Sequence, residues 1–260
     1  MAQIRYETDN GVARLVLDQP EKLNAMNYEM WASLEGLVGR AEGDPAVHVI
    51  VLTGEGDRAF CAGADISQFG DKRDSAEATH AYDEAYLRGC NAVANSAKPT
   101  VGVIRGICYG GGFGLAMACD IRLARAGTRF RIPAARLGLG YAYAGVAALV
   151  AKLGLDTTAD LLLSARVVGD KEASRRGIVA QVWSEDSFER EAADYIAQIA
   201  TNAPLTLRAA KQALIALAQP EALRDTSAVD AAVAACFGSA DYKEGQRAFK
   251  DRRKPVFTGE

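Results

Sequence analysis

Two short apolar runs constrain the fold of this 260-residue chain more than any other feature. Residues 47–52 and Thr100–Ile104 are rich in Val, Ile and Leu and lack the apolar–polar alternation of a half-exposed strand. Such runs are typical of strands buried on both faces of a sheet. Residues 27–40 and 77–93 show the apolar spacing of helices, so strands and helices alternate. The sequence therefore predicts an α/β fold.

The two ends of the chain carry different patterns. Residues 4–8 and 12–17 read as strands, and the Asp-Asn-Gly between them is a common hairpin turn. From residue 188 onward the pattern is helical almost throughout. We therefore expect a domain of residues 1–200 followed by a helical region of residues 201–260.

The composition excludes several classes of protein. The chain has 30 Lys and Arg against 33 Asp and Glu, and 49% of its residues are hydrophobic, which is inconsistent with a disordered chain. Without a basic surplus, we expect no nucleic-acid partner held by bulk charge. No apolar run approaches the roughly 20 residues that cross a bilayer, and the first residues lack an apolar signal core. We expect a cytoplasmic protein with no membrane partner.

Common cofactor and nucleophile motifs are missing from the sequence. The five cysteines form no CxxC pair and are expected to be reduced thiols. With only two histidines to supply imidazole ligands, we expect no metal. Every candidate GxGxxG lacks its last glycine, and neither a P-loop lysine nor a GxSxG is present. Dinucleotide binding and the chemistry of α/β-hydrolases are therefore unsupported.

Two glycine-rich segments are the strongest functional candidates. Residues 60–66 (FCAGADI) follow the first buried strand, and residues 109–114 (YGGGFG) lie between the second strand and a helix. Each can leave backbone N–H groups unpaired, and the helix dipole adds positive potential. Two such groups converging on one point would form an oxyanion hole, whereas close packing of the backbone is the alternative explanation for the glycines.

Taken in order, these segments resemble the crotonase (enoyl-CoA hydratase/isomerase) superfamily over nearly the full chain. The resemblance includes residues 19–26 (QPEKLNAM), residues 115–120 (LAMACD) and the end of the chain at residues 244–255. It implies a spiral of repeated ββα units with a C-terminal α-helical trimerisation region. The implied assembly is a homotrimer or a hexamer made of two trimers.

The resemblance also implies the substrate and its binding residues. The family acts on acyl-CoA thioesters, so coenzyme A is part of the substrate and no prosthetic group is expected. An enolate of the thioester is held by two backbone N–H groups, which by position belong to Ala64 and Gly111. Arg252 is a candidate for the phosphates across a subunit contact. The remaining coenzyme A contacts are expected at Lys22, Leu23, Ala25, Ala62, Asp65 and Ile66.

The sequence departs from the family at the two positions that carry its usual acids. Typical hydratases place one glutamate two residues after the GGG and another directly after the proline of residue 133; here these positions are Gly114 and Ala134. General acid–base groups typically contribute about 10²–10⁴-fold each, and neither residue can act as one. Tyr141 and Tyr143 are candidate replacement donors, with packing as the alternative role.

These observations predict a crotonase-superfamily enzyme, of the lyase or isomerase class, that stabilises an enolate but does not hydrate by the two-glutamate route. Several alternatives remain at this stage. The chain could be a thioesterase, an isomerase or a C–C lyase that uses another acid, or an anion such as bicarbonate bound in the space left by Gly114. It could also bind acyl-CoA without turnover.

Overall fold

A computed structural model describes residues 2–65 and 76–260 of the chain. The N-terminal hairpin is confirmed. Strands β1 (Gln3–Asp9) and β2 (Val12–Asp18) pair antiparallel along their whole length. Asn10 and Gly11 make the turn, both with positive φ, as the two-residue turns that match strand twist require.

A six-stranded sheet continues from this hairpin in the order β1-β2-β3-β5-β7-β10. Every pair beyond the hairpin is parallel. The two apolar runs lie at its centre, and all their residues but His48 are buried, which confirms the prediction of strands covered on both faces. The first begins two residues later than expected, because Val47 still closes a turn onto Asp44. The strands beyond the hairpin are β3 (Val49–Gly54), β5 (Thr100–Ile104), β7 (Ile121–Arg125) and β10 (Gln181–Trp183).

A second sheet, in the order β4-β6-β8-β9, lies beside the first and carries the glycine-rich segments. Each segment overlaps the end of one of its short strands, so the sheet brings together two segments that are separated by 42 residues in sequence. Its strands are β4 (Ala59–Cys61), β6 (Ile107–Tyr109), β8 (Arg129–Arg131) and β9 (Val168–Gly169).

Helices cover both sheets. One helix, Tyr143–Ala159, is interrupted at Gly154, whose φ of 75° breaks the helical geometry, and it runs into a π-helical turn at Asp160–Ser164. The helices are α1 (Tyr28–Gly43), α2 (Ala76–Ala94), α3 (Gly111–Ala118), α4 (Tyr143–Ala159), α5 (Asp170–Arg175), α6 (Glu185–Ala200), α7 (Pro204–Ala218), α8 (Thr226–Gly238) and α9 (Ala240–Asp251).

The last three helices leave several large apolar side chains in solvent. Leu217, Phe237 and Phe249 are among the exposed apolar residues of this region. An apolar groove of about 820 Å³ lies between α7, α8 and α9. By contrast, α6 buries Phe188 and Ile196 against the parallel sheet. Within the described ranges, no helix has the length and apolar character needed to span a bilayer.

Candidate active site

The two glycine-rich segments meet at the edge of the second sheet. A methyl group placed on Gly63 would stand 3.2 Å from the Tyr109 carbonyl oxygen and 3.5 Å from the Gly111 nitrogen. The first segment is also tied to the loop before α1, because Met26 N–H donates to the Gly63 carbonyl and Asp65 N–H donates to the Met26 carbonyl. These contacts fix both segments in one position relative to each other.

Ala64 and Gly111 each present a backbone N–H toward the same cavity. Ala64 lies between the two residues whose backbone bonds to Met26, and alternate N–H groups of an extended strand point to opposite sides. Gly111 is the first residue of α3, so its N–H has no partner within the helix. No described residue accepts a hydrogen bond from either N–H. Both residues line a cavity of about 270 Å³.

The backbone before Gly111 needs glycine. Gly110 has φ 52° and ψ −121°, a conformation that a side chain would strain, and its N–H donates to the Arg131 carbonyl at 2.9 Å. This turn aims the start of α3 at the cavity, where the helix dipole favours negative charge. The structure thus places Ala64 and Gly111 at one cavity, and their role as oxyanion donors stays a prediction.

The space beside Gly114 is filled by the hydroxyl of Tyr86, which the sequence analysis did not single out. A methyl group added at Gly114 would overlap the Tyr86 Oη and stand 3.2 Å from its Cζ. The Tyr86 hydroxyl therefore takes the space directly beside Gly114, and the alternative of a bound anion there stays a prediction. Ala134, at the other acid position, lines the cavity with its methyl group.

Aromatic side chains from α1 and α2 form one wall of the cavity. The Trp31 indole N–H donates to the Tyr82 hydroxyl at 3.1 Å, and this hydroxyl donates to the Met26 carbonyl. Trp31 also packs edge-on against Tyr86, with ring centroids 4.9 Å apart. Tyr82 and Tyr86 are one helical turn apart, so the wall follows directly from the periodicity of α2. Asp83, exposed on the same helix, is the carboxylate among the described lining residues.

The phenols at the cavity are held in their protonated form. Burial raises the pKa of Tyr86 well above its ordinary value of 10.0, and the side chains of Cys90 and Tyr141 raise it further. Burial likewise raises the pKa of Tyr141. Since desolvation penalises the phenolate, both groups remain neutral at physiological pH. They can donate a proton or a hydrogen bond, but they cannot act as bases there.

The two tyrosines predicted as replacement donors lie in different places. Tyr141 lines the cavity, and its ring covers Gly145. Tyr143 begins α4, is 87% exposed and is not among the described residues that line the cavity. Although only two positions apart in sequence, Tyr141 lies at the site and Tyr143 lies in solvent.

The predicted coenzyme A loop forms one connected surface. Ala62 N–H donates to the Leu23 carbonyl, and the buried Asp65 carboxylate accepts from the Lys22 ammonium at 2.7 Å. Ala25 is buried beside them. Asp65 therefore joins the two parts of this loop, and Lys22, with 45% of its side chain exposed, combines that ion pair with access to solvent.

Two predicted contacts remain. Ile66 is outside the described residues. Arg252 is exposed at the end of α9, in the left-handed conformation, and is not among the described residues lining the cavity. The role of Arg252 at the phosphates of a neighbouring subunit stays a prediction.

The cysteines beside the glycine-rich segments are poor nucleophiles. Cys61 and Cys108 are fully buried. Burial raises the pKa of Cys61 to about 12 and that of Cys108 well above its ordinary value. Because the thiolate is the reactive form, these residues serve packing. No cluster of three potential metal ligands occurs among the described residues.

The two sheets and the cavity between the glycine-rich segments are those of a crotonase-type protein. The sequence model of the family "Enoyl-CoA hydratase/isomerase" matches residues 7–260, and the chain belongs to that family. The superfamily resemblance is thereby confirmed, as is membership of a family that acts on acyl-CoA thioesters.

Similar proteins match over almost their whole length. A crotonyl-CoA hydratase of Syntrophomonas wolfei is 31% identical, covering 98% of this chain and 97% of its own. An (E)-benzylidenesuccinyl-CoA hydratase of Thauera aromatica is 29% identical, covering 98% and 99%. The crystal structure of an enoyl-CoA hydratase/carnithine racemase from Magnetospirillum magneticum superimposes with a TM-score of 0.93 at 32% identity, covering 100% and 97%.

Proposed function

We propose that this protein is an acyl-CoA enzyme that polarises the thioester carbonyl with the N–H groups of Ala64 and Gly111 and stabilises the resulting enolate. One observation carries the proposal: two backbone donors without partners among the described residues face one cavity. Preorganised donors of this kind stabilise developing negative charge in a site from which water is excluded. The coenzyme A arm lies along the surface formed by Lys22, Leu23, Ala25, Ala62 and Asp65, with Ile66 and a neighbouring subunit's copy of Arg252 as the remaining contacts.

Hydration by a pair of glutamates does not fit this cavity. Such hydration needs one group to activate water and another to supply the α-proton. Gly114 is covered by Tyr86, and Ala134 offers a methyl group. The relatives are named as hydratases, but this chain has no carboxylate at either of the two positions that usually carry the catalytic acids. The oxyanion hole remains because it consists of backbone.

Crotonyl-CoA provides the test of this proposal. We expect the protein to bind crotonyl-CoA, measured by isothermal titration calorimetry, and to form no 3-hydroxybutyryl-CoA by mass spectrometry. Loss of the conjugated thioester absorbance would be followed in parallel. Hydration at an enzymatic rate would contradict the loss of two-glutamate chemistry. Absence of binding to every acyl-CoA tested would contradict the proposal as a whole.

The C-terminal helices are proposed to form the interface of a homotrimer or hexamer. Their support is the apolar groove between α7, α8 and α9 and the exposure of Phe237 and Phe249. Contiguous apolar surface of this kind marks an interaction site. We expect light scattering to give three or six times the chain mass of 27.6 kDa. Phe249→Asp should lower that mass, and a monomeric wild-type protein would contradict the proposal.

A further inference from the structure

Three cationic side chains gather at the C-terminal end of α3, the helix that starts at the cavity. The helix itself contains no charged residue, so each cation comes from another element. The Cys119 carbonyl, at the end of the helix, accepts from the Arg122 guanidinium and from the Lys152 ammonium, each at 2.8 Å. Lys211, on α7, is paired with the carboxylate of Asp120. Positive charge therefore collects at the end of α3 that points away from the cavity.

A cation at this end of a helix acts on an anion at the other end. The last carbonyls of a helix carry partial negative charge, which opposes an anion at the N-terminus, and a cation beside them cancels it. Helix α3 has eight residues, so its two ends are about 12 Å apart. Six of the eight are buried, which limits screening by salt. At an effective dielectric constant near 20, one unit charge at about 12–15 Å changes the stability of an oxyanion about five- to tenfold.

We propose that Lys152 is a positioning residue whose ammonium, acting through α3, strengthens the hold of the Gly111 N–H on the oxyanion of the thioester. This inference rests on the proposed acyl-CoA function. Lys152 is not among the described residues that line the cavity, so its effect is one of charge at a distance. Arg122 shares the same carbonyl, but it is buried and also donates to the Ile178 carbonyl, which gives it a structural role as well. Lys152 is more exposed, so it is the cation that substitutions can test.

The charge of Lys152 changes within an accessible range of pH. Burial of its ammonium and the neighbouring charge of Arg122 lower its pKa from the ordinary 10.5 to about 8. Lys211 acts in the same direction and Asp120 opposes it, while burial raises the pKa of the facing Cys119 thiol to about 12 and keeps it neutral. The hold on an oxyanion is therefore strongest below this pH and weakens as the pH rises through it. A neutral amine still donates to the Cys119 carbonyl, so the titration removes the charge and keeps the hydrogen bond.

The test measures how much of a bound β-keto thioester is present as its enolate. The probe is acetoacetyl-CoA, whose enolate and keto forms differ in ultraviolet absorbance. Near neutral pH, we expect Lys152→Arg to match wild type and Lys152→Gln to lower the ratio of bound enolate to keto form about five- to tenfold, with a further step of similar size in Lys152→Glu. A purely structural role predicts instead that glutamine, which also donates to a carbonyl, behaves as lysine does. Lys171→Gln removes the same charge from an exposed position on α5 and is the matched control, expected to behave as wild type.

The pH dependence separates charge from packing. Because a guanidinium keeps its charge, enolate binding by wild type relative to Lys152→Arg should fall about five- to tenfold between about pH 6.5 and about pH 9.5. The titration of acetoacetyl-CoA itself is common to both proteins and cancels in this comparison. A constant ratio over this range would contradict the proposed role of the ammonium.

The remaining outcomes distinguish this inference from the proposed function. Equal enolate ratios in the Arg, Gln and Glu variants, with a lower ratio in Gly111→Pro, would overturn the role of Lys152 and leave the proposed function standing. Absence of acetoacetyl-CoA binding by wild type, or an unchanged ratio in Gly111→Pro, would overturn the proposed function and this inference with it. Thermal melts establish that every variant is folded.

Discussion

Gly111→Pro is expected to lower acyl-CoA turnover by about 10²–10³-fold, or about 2.7–4 kcal/mol of transition-state stabilisation, by deleting one oxyanion donor. Proline is tolerated at the first position of a helix, where the missing N–H has no helical partner. Gly111 occupies that position in α3. The substitution therefore removes the proposed donor without removing a backbone hydrogen bond of the fold.

Gly111→Ala is the matched control for this experiment. It adds the same β-carbon, which would meet the Trp31 ring at 3.2 Å, but it keeps the N–H. We expect the alanine variant to retain most of the activity and the proline variant to lose it, with acyl-CoA still bound by both. Equal losses in the two variants would show that crowding against Trp31, rather than the N–H, matters at this position.

Restoring the two carboxylates is expected to create enoyl-CoA hydration only when Tyr86 is removed as well. Gly114→Glu alone should destabilise the protein, because its side chain overlaps the buried phenol. The triple variant Tyr86→Ala, Gly114→Glu, Ala134→Glu opens that space and supplies both acids. Because each acid–base group typically contributes about 10²–10⁴-fold, crotonyl-CoA hydration should rise at least about 100-fold above wild type.

The control for the triple variant carries glutamine at both positions, again with Tyr86→Ala. Glutamine has nearly the shape of glutamate but cannot accept or release a proton in this role. Rates would be measured by the loss of enoyl thioester absorbance, with product identity checked by mass spectrometry. If the glutamate and glutamine triples hydrate crotonyl-CoA equally slowly, the account of why wild type lacks this chemistry is wrong.

The sequence predicted the elements that follow local rules. The hairpin turn at Asn10 and Gly11, the buried strand Thr100–Ile104 and the helix near residues 77–93 all have signals within a few residues. The family resemblance predicted that the two glycine-rich segments lie close together. Their strands pair in the second sheet, and those strands are only three residues long, too short for a strong periodic signal.

The role of Tyr86 could not be read from the sequence because it depends on packing between distant elements. Helical periodicity places Tyr82 and Tyr86 on one face of α2, but it does not show that this face meets α3 at Gly114. The one available signal was the glycine itself, since an interior helical glycine often marks a close neighbour. Likewise, the sequence gives no reason to distinguish Tyr141 from Tyr143. Their different positions follow from the start of α4 at Tyr143.

The most direct test of the account is the carbonyl stretching frequency of [1-13C]butyryl-CoA, measured by difference infrared spectroscopy free and bound to the protein. Two N–H donors at Ala64 and Gly111 polarise the thioester, so the account predicts a lower frequency in the wild-type complex. Gly111→Pro should return much of that shift toward the free value, while Gly111→Ala keeps it. A bound carbonyl with the same frequency as free butyryl-CoA in the wild-type protein would contradict the oxyanion hole.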